Sequence, residues 1–182
     1  MVDTGLCHDC KEKTHIFTRC RSVFEYSSAK EMIYRFKYAG RREYARVFAF
    51  LTDKILAEYI FANDFDCIVS VPISRKRLLK RGYNQAEEYG KELSALTGIP
   101  FFDDSVRRVK NTAPLKCLNP SQRQKNLKNA FKKGKNVVKS KRILLVDDIY
   151  TTGATMDACA GILLESGASC VYGLTLSSGA GV

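Results

Sequence analysis

The chain has 182 residues, 45% of them apolar, enough for one domain with its own core and no crosslinks. Its formal charge of +11, from 30 basic against 19 acidic side chains, favours anionic partners without choosing among nucleotides, pyrophosphate, nucleic acid and acidic membranes. No apolar run is long enough to cross a membrane, Met1-Val2-Asp3-Thr4-Gly5 is unlike a secretion signal, and the seven cysteines lack the spacing of a disulfide framework, so a cytoplasmic, reduced setting is expected.

In chain order, the polar stretch from Met1 to about Arg21 carries three cysteines and two histidines and no core periodicity. It is expected to be a small appendage, residues 1–22, ahead of one domain over residues 23–182. A strand is expected at Val23 to Tyr26, then a helix opened by a Ser28-Ala29-Lys30-Glu31 capping box, with Met32, Ile33 and Phe36 inward. After Gly40 a second helix is expected to bury Tyr44, Val47, Phe48, Leu51 and Ile55. The apolar run from Asp66 to Val71, stopped by Pro72, reads as a strand covered on both faces, which implies a parallel sheet. A helix from about Asn84 to Leu96 follows, with Ala86, Tyr89, Leu93 and Leu96 inward and Gly98 as its stop. Weaker strands are expected at Pro100 to Phe102 and Val106 to Val109.

The cationic stretch from Lys110 to Lys135, with Pro114 and Pro120, is too long for an ordinary connection and reads as a lid or a disordered loop. Ile143 to Asp148 is the strongest strand, Thr155 to Ser166 a helix with Met156, Cys159, Ala160 and Leu163 on one face, and Cys170 to Leu176 the last strand. The fold class is therefore α/β, with a mainly parallel central sheet flanked by helices.

Ile143-Leu144-Leu145-Val146-Asp147-Asp148-Ile149-Tyr150-Thr151-Thr152-Gly153-Ala154-Thr155 combines a buried strand, an acidic pair and a small-residue turn opening a helix. Free backbone amides and the positive end of the helix dipole at such a turn favour a phosphate, and Gly153 permits close approach. Thr151, Thr152 and Thr155 add hydroxyls, and two carboxylates beside them suit the vicinal hydroxyls of a ribose. An acidic pair alone serves equally well as a helix cap. The Walker pattern and the dinucleotide fingerprint do not fit, for want of a Gly-Lys-Ser/Thr ending and of three spaced glycines.

The thirteen residues resemble the phosphoribosyl pyrophosphate signature of type I phosphoribosyltransferases. Further blocks resemble the ComF family of competence proteins: Tyr34-Arg35-Phe36-Lys37-Tyr38-Ala39-Gly40-Arg41-Arg42, Val71-Pro72-Ile73, Arg81-Gly82-Tyr83-Asn84-Gln85, and Ser121 to Phe131. The resemblance implies the type I phosphoribosyltransferase fold, with a mobile hood loop over the substrate. It implies that Asp147 and Asp148 meet the ribose, that Thr151, Thr152, Gly153, Ala154 and Thr155 hold the 5-phosphate, and that magnesium accompanies the pyrophosphate. Pro72 to Arg77 resembles the pyrophosphate loop, with Arg75, Lys76 and Arg77 as candidates and Arg81 next, although basic runs are commonly solvated faces. In the hood, Arg123 and Lys125 are candidates to assist departure of the pyrophosphate.

Cys7-His8-Asp9-Cys10 has the spacing of half a zinc site, whereas a closed structural site takes four ligands. ComF-like proteins carry two such knuckles; here the first is missing, and His15 or Cys20 are the other ligands the segment offers. Cys7 and Cys10 are thus an incomplete zinc site in a remnant segment. The expected activity is phosphoribosyl transfer, a glycosyltransferase reaction with an acceptor the sequence leaves open, in the setting of DNA uptake that the resemblance implies. The alternative is a competence factor that binds single-stranded DNA without catalysis, through cations interleaved with Tyr34, Phe36, Tyr38 and Tyr44. Partners beyond these, and the oligomeric state, are not legible.

Overall fold

Residues 14–109 and 129–179 are described by the structure, a computed structural model. In chain order the elements are β1 (Arg19–Glu25), α1 (Tyr26–Tyr38), α2 (Tyr44–Phe61), β2 (Cys67–Ser70), α3 (Arg75–Arg81), α4 (Gln85–Thr97), β3 (Val106–Arg108), β4 (Phe131–Lys133), β5 (Arg142–Tyr150), α5 (Ala154–Glu165) and β6 (Cys170–Ser178). Strands β1, β6, β5 and β2 form a parallel sheet in that order. Phe101 adds one parallel bridge to Ile68 at the β2 edge, where a strand over Pro100 to Phe102 was expected. A separate antiparallel pair joins β3 to β4, the latter lying inside the expected long loop.

The apolar run Ile143 to Val146 is wholly buried because helices cover both faces of β5. On one face Leu144, Val146, Leu174 and Leu176 pack against Ile33, Phe36, Phe48, Tyr89 and Leu93 from α1, α2 and α4. On the other, Ile143, Leu145 and Val171 pack against Met156, Cys159 and Leu163 of α5 and against Val106 and Phe131 of β3 and β4. Buried Thr52 ties α2 to α4 through its hydroxyl and that of Tyr89, 2.8 Å apart.

Four sequence expectations change. Strand β1 starts at Arg19, within the expected appendage, because its pairing with β6 extends over Arg19 to Glu25. Helix α1 starts at Tyr26 without the capping box: Ser28 donates to the Glu25 carbonyl at 2.8 Å, and Glu31 accepts from Arg35 at 2.9 Å. In α2 the buried stripe is Ala45, Phe48, Ala49, Thr52 and Ile60, leaving Val47 and Ile55 exposed, and the backbone departs from helical geometry at Leu56 (φ −124°, ψ 20°). Leu96 of α4 is exposed.

This burial pattern predicts that Phe48→Ala loses about 3–5 kcal/mol of stability, whereas Ile55→Ala on the exposed side of the same helix stays within about 0.5 kcal/mol. Urea denaturation of both variants measures the difference, and equal losses would return Ile55 to the core.

Candidate ligand site at the carboxyl edge of the sheet

The carboxyl ends of β2 and β5 lie side by side, since the Val71 amide donates to the Val146 carbonyl at 2.9 Å. Three helices begin from this edge. Ser74 caps α3 by accepting from the Arg77 amide at 3.4 Å. Asn84 caps α4 by accepting from the Ala86 amide, and its amide group donates to the Val71 carbonyl, at 3.2 and 3.1 Å. Gly153 opens α5 in the left-handed region, φ +69°. Crevices at such an edge are where ligands of doubly wound sheets bind.

Asp147 and Asp148 lie in the paired part of β5, which runs on to Tyr150. They look in different directions. Asp148 is held by Lys37 of α1, Nζ to Oδ2 3.0 Å, with side chains only 12% and 16% exposed. Asp147 lies towards the α5 face, where it raises the thiol of Cys159 and feels Arg77. Its Oδ1 accepts from the Asp148 amide at 2.8 Å. Burial first, then the charge of Asp148, pushes the Asp147 carboxyl up to about 7; the Asp148 amide, Lys37 and Arg77 pull it back.

Thr151 and Thr152 are exposed on the turn, Gly153 is buried, and Ala154 and Thr155 are partly covered. The first-turn amides of α5 have no acceptor within the helix, as at any helix start. A side chain at Gly153 would be resisted on two counts. Its backbone is left-handed, and a Cβ there would lie 2.6 Å from His15 Cε1 and 2.9 Å from the Tyr150 hydroxyl. His15 lies beside this turn, its Nδ1 2.9 Å from Asp157, its Nε2 3.1 Å from the Tyr150 hydroxyl and its ring stacked on Phe17.

The basic candidates separate. Arg75, Lys76 and Arg77 are exposed in the first turn of α3, a helix where a turn was expected, because Ser74 caps its start and left-handed Gly82 ends it. Arg81 is engaged by other partners: it donates to Gln85 Oε1 at 2.9 Å and lies 5.1 Å over the Tyr38 ring. Arg123, Lys125, Cys7 and Cys10 fall outside the described residues. Cys67 and Cys159 are buried, and burial pushes both thiols up, to about 11 for Cys67. They are poor nucleophiles.

Three residues near the site escaped sequence reasoning. Lys37 carries two signals, its place at the rim of the buried stripe of Ile33 and Phe36 and its place in the ComF-like block Tyr34 to Arg42, neither of which points to the acidic pair. Arg108 of β3, held below its ordinary value by burial and then by the nearby charge of Arg77, had none. For His15 the sequence suggests only a metal ligand.

The phosphoribosyl transferase domain family matches residues 49–178. The DNA utilization protein YhgH of Escherichia coli is 31% identical over 172 residues, 91% of this chain and 74% of that protein. The competence protein ComFC of Streptococcus pneumoniae is 32% identical over 173 residues, 93% of this chain and 74% of that one. The chain is a ComF-like member of the phosphoribosyl transferase domain family. The fold agrees: the structure of the allosteric regulatory enzyme of purine biosynthesis superposes on 80% of this ComF-like chain and 30% of its own, with a TM-score of 0.52 and 22% identity. No helix among the described residues is long and apolar enough to cross a membrane.

Proposed function

We propose that the chain binds phosphoribosyl pyrophosphate, or the 5-phosphate end of a nucleotide, at this edge and transfers the phosphoribosyl group with release of pyrophosphate. The observation that carries the reading is the acidic pair in the last part of β5, which runs on to Tyr150 and leads through Thr151 and Thr152 to the left-handed Gly153 that opens α5. The 5-phosphate lies on the amides of Gly153, Ala154 and Thr155, with the hydroxyls of Thr151 and Thr152 beside it. Asp147 and Asp148 flank the ribose and stabilise positive charge that develops at the anomeric carbon. The bond from that carbon to the pyrophosphate oxygen breaks, its electron pair leaves with pyrophosphate, and a bond to a nitrogen of the acceptor forms as that nitrogen gives up a proton. Arg75, Lys76 and Arg77 offer positive charge to the departing group, a role for which the family resemblance also nominates Arg123 and Lys125.

Magnesium fits this site as a companion of the ligand. Among the described residues no three or more His, Cys, Asp or Glu side chains cluster to hold a resident metal. Magnesium is typically bound by one or two carboxylates together with substrate phosphates, and when bound it would offset the charge of the pyrophosphate. A zinc site at Cys7 and Cys10 is proposed only as an incomplete one, and metal analysis of the purified protein tests it: stoichiometric zinc would contradict the remnant reading.

Transfer itself is tested by following pyrophosphate release with magnesium and a panel of purines, pyrimidines and amines. Release that depends on one acceptor class supports transfer; no release with any acceptor reduces the site to binding. One relative is named a DNA utilization protein and the other a competence protein, which supports a role for the chain in competence and DNA uptake.

A second reading, single-stranded DNA binding, is favoured by one surface. Phe36 is core and Tyr44 partly buried, but Tyr34 and Tyr38 are exposed with ring centroids 5.1 Å apart, beside Arg81 and exposed Arg35 and Arg41. Cation and ring together suit stacked bases. Tyr34→Ala with Tyr38→Ala is expected to weaken oligonucleotide binding by about 1–3 kcal/mol per stacked base. Wild-type affinity is expected to fall with salt by a log-log slope of about −0.7 per phosphate neutralised. A flat salt response would remove this reading.

A further inference from the structure

The ion pair at the acidic motif is supplied from outside the part of the chain that matches the phosphoribosyl transferase family. Lys37 belongs to α1, which precedes the matched residues 49–178, yet its ammonium lies 3.0 Å from Asp148 with both side chains largely covered. A lysine is rarely buried without a partner, so this position is chosen for the carboxylate it meets. We propose that Lys37 is a positioning residue of the ligand site: its charge stands at Asp148 where a divalent cation's charge would otherwise be needed, so that a ribose 5-phosphate is held there without metal. This rests on the proposed binding of a 5-phosphate at the Gly153 turn.

The electrostatics give the reason. A phosphate brought to the Gly153 turn approaches two carboxyl groups, Asp148 paired with Lys37 and Asp147 with its charge disfavoured by burial, and whatever like charge remains on them repels it. Neutralising one carboxylate removes much of that repulsion. Lys37 takes Oδ2 of Asp148, and Asp147 turns its Oδ1 to the Asp148 amide, so each carboxylate has one oxygen committed and one left for a ribose hydroxyl. The lysine thus orients Asp148 as well as discharging it. A metal that arrives with a pyrophosphate is then needed by the leaving group rather than by the sugar.

The test is calorimetric titration of ribose 5-phosphate into the intact chain, in chelator and in magnesium, repeated with Lys37→Met, Lys37→Arg and the Lys37→Met, Asp148→Asn double variant. The proposal expects the intact chain and Lys37→Arg to bind equally in both conditions. Lys37→Met is expected to weaken binding about tenfold or more in chelator, with magnesium restoring most of the loss. The double variant, which leaves no uncompensated charge should Lys37→Met fail to fold, loses one ribose acceptor and is expected to bind more weakly than the intact chain, with the same affinity in chelator and in magnesium. If magnesium governs the affinity of the intact chain and of Lys37→Met alike, or if Lys37→Met is weakened by the same factor in both conditions, Lys37 has no such role, while binding at the turn stands. No binding by the intact chain in either condition would overturn the 5-phosphate reading and this inference with it.

Discussion

Replacing Gly153 with alanine is expected to destabilise the protein far more than the same change at Gly98, and to remove ligand binding as well. Both glycines end or begin a helix in the left-handed region, at φ +69° and +76°. An L side chain in that conformation costs about 1–2 kcal/mol at either position. Only at Gly153 does the new Cβ meet a wall, 2.6 Å from His15 Cε1 and 2.9 Å from the Tyr150 hydroxyl, whereas at Gly98 nothing lies within 4 Å. Relieving that overlap costs a further 1–3 kcal/mol or so, as in other overpacked sites. It also shifts the turn against which the phosphate is proposed to lie. Denaturation midpoints of the two variants, with a ribose 5-phosphate titration of each, check the claim; equal destabilisation would show that the turn is not closely packed.

Asp147→Asn is expected to stabilise the protein at neutral and alkaline pH while costing it binding. The Asp147 carboxyl is raised to about 7 by burial and by Asp148, above the roughly 3.9 of an aspartate in an unfolded chain. The folded state therefore holds this proton more tightly than the unfolded state. The stability linked to that proton is complete below about pH 4 and is lost as the pH rises through 7. Asparagine carries no such proton, so the variant's advantage is near zero at pH 4 and levels off above pH 7, at most on the order of 4 kcal/mol there. Urea denaturation across pH 4 to pH 8, pH values set about this range, measures it. A difference between variant and parent that does not change with pH would mean that Asp147 is not strained by its surroundings.

Much of the fold was legible because β5 and β2 are short apolar runs that only a sheet covered on both faces can hold. Asn84 and Gly98 marked α4 with the local chemistry of caps, and the structure uses both. Reading failed where the deciding contact is distant along the chain. In α2 the small or polar Ala45, Ala49 and Thr52 face the core while the apolar Val47 and Ile55 face outward, an arrangement that apolar periodicity does not reveal. Ser28 and Glu31 satisfied a capping pattern, but the pairing of β1 with β6 and the Glu31–Arg35 contact decided otherwise. Pro72 to Arg77 reads as a turn, yet Ser74 and Gly82 bracket Arg75 to Arg81 into α3. At the site, Asp147, Asp148 and the Thr-Thr-Gly-Ala-Thr turn were legible as one contiguous block. Lys37, Arg108 and His15 were not, since each reaches the block from another element.

The most direct measurement is calorimetric titration of phosphoribosyl pyrophosphate with magnesium into the intact chain and into the Asp147→Asn, Asp148→Asn double variant. Saturable binding by the intact chain that is lost in a folded double variant is the predicted result. No binding by the intact chain, or binding the double variant retains, would contradict the account and leave the motif as scaffold.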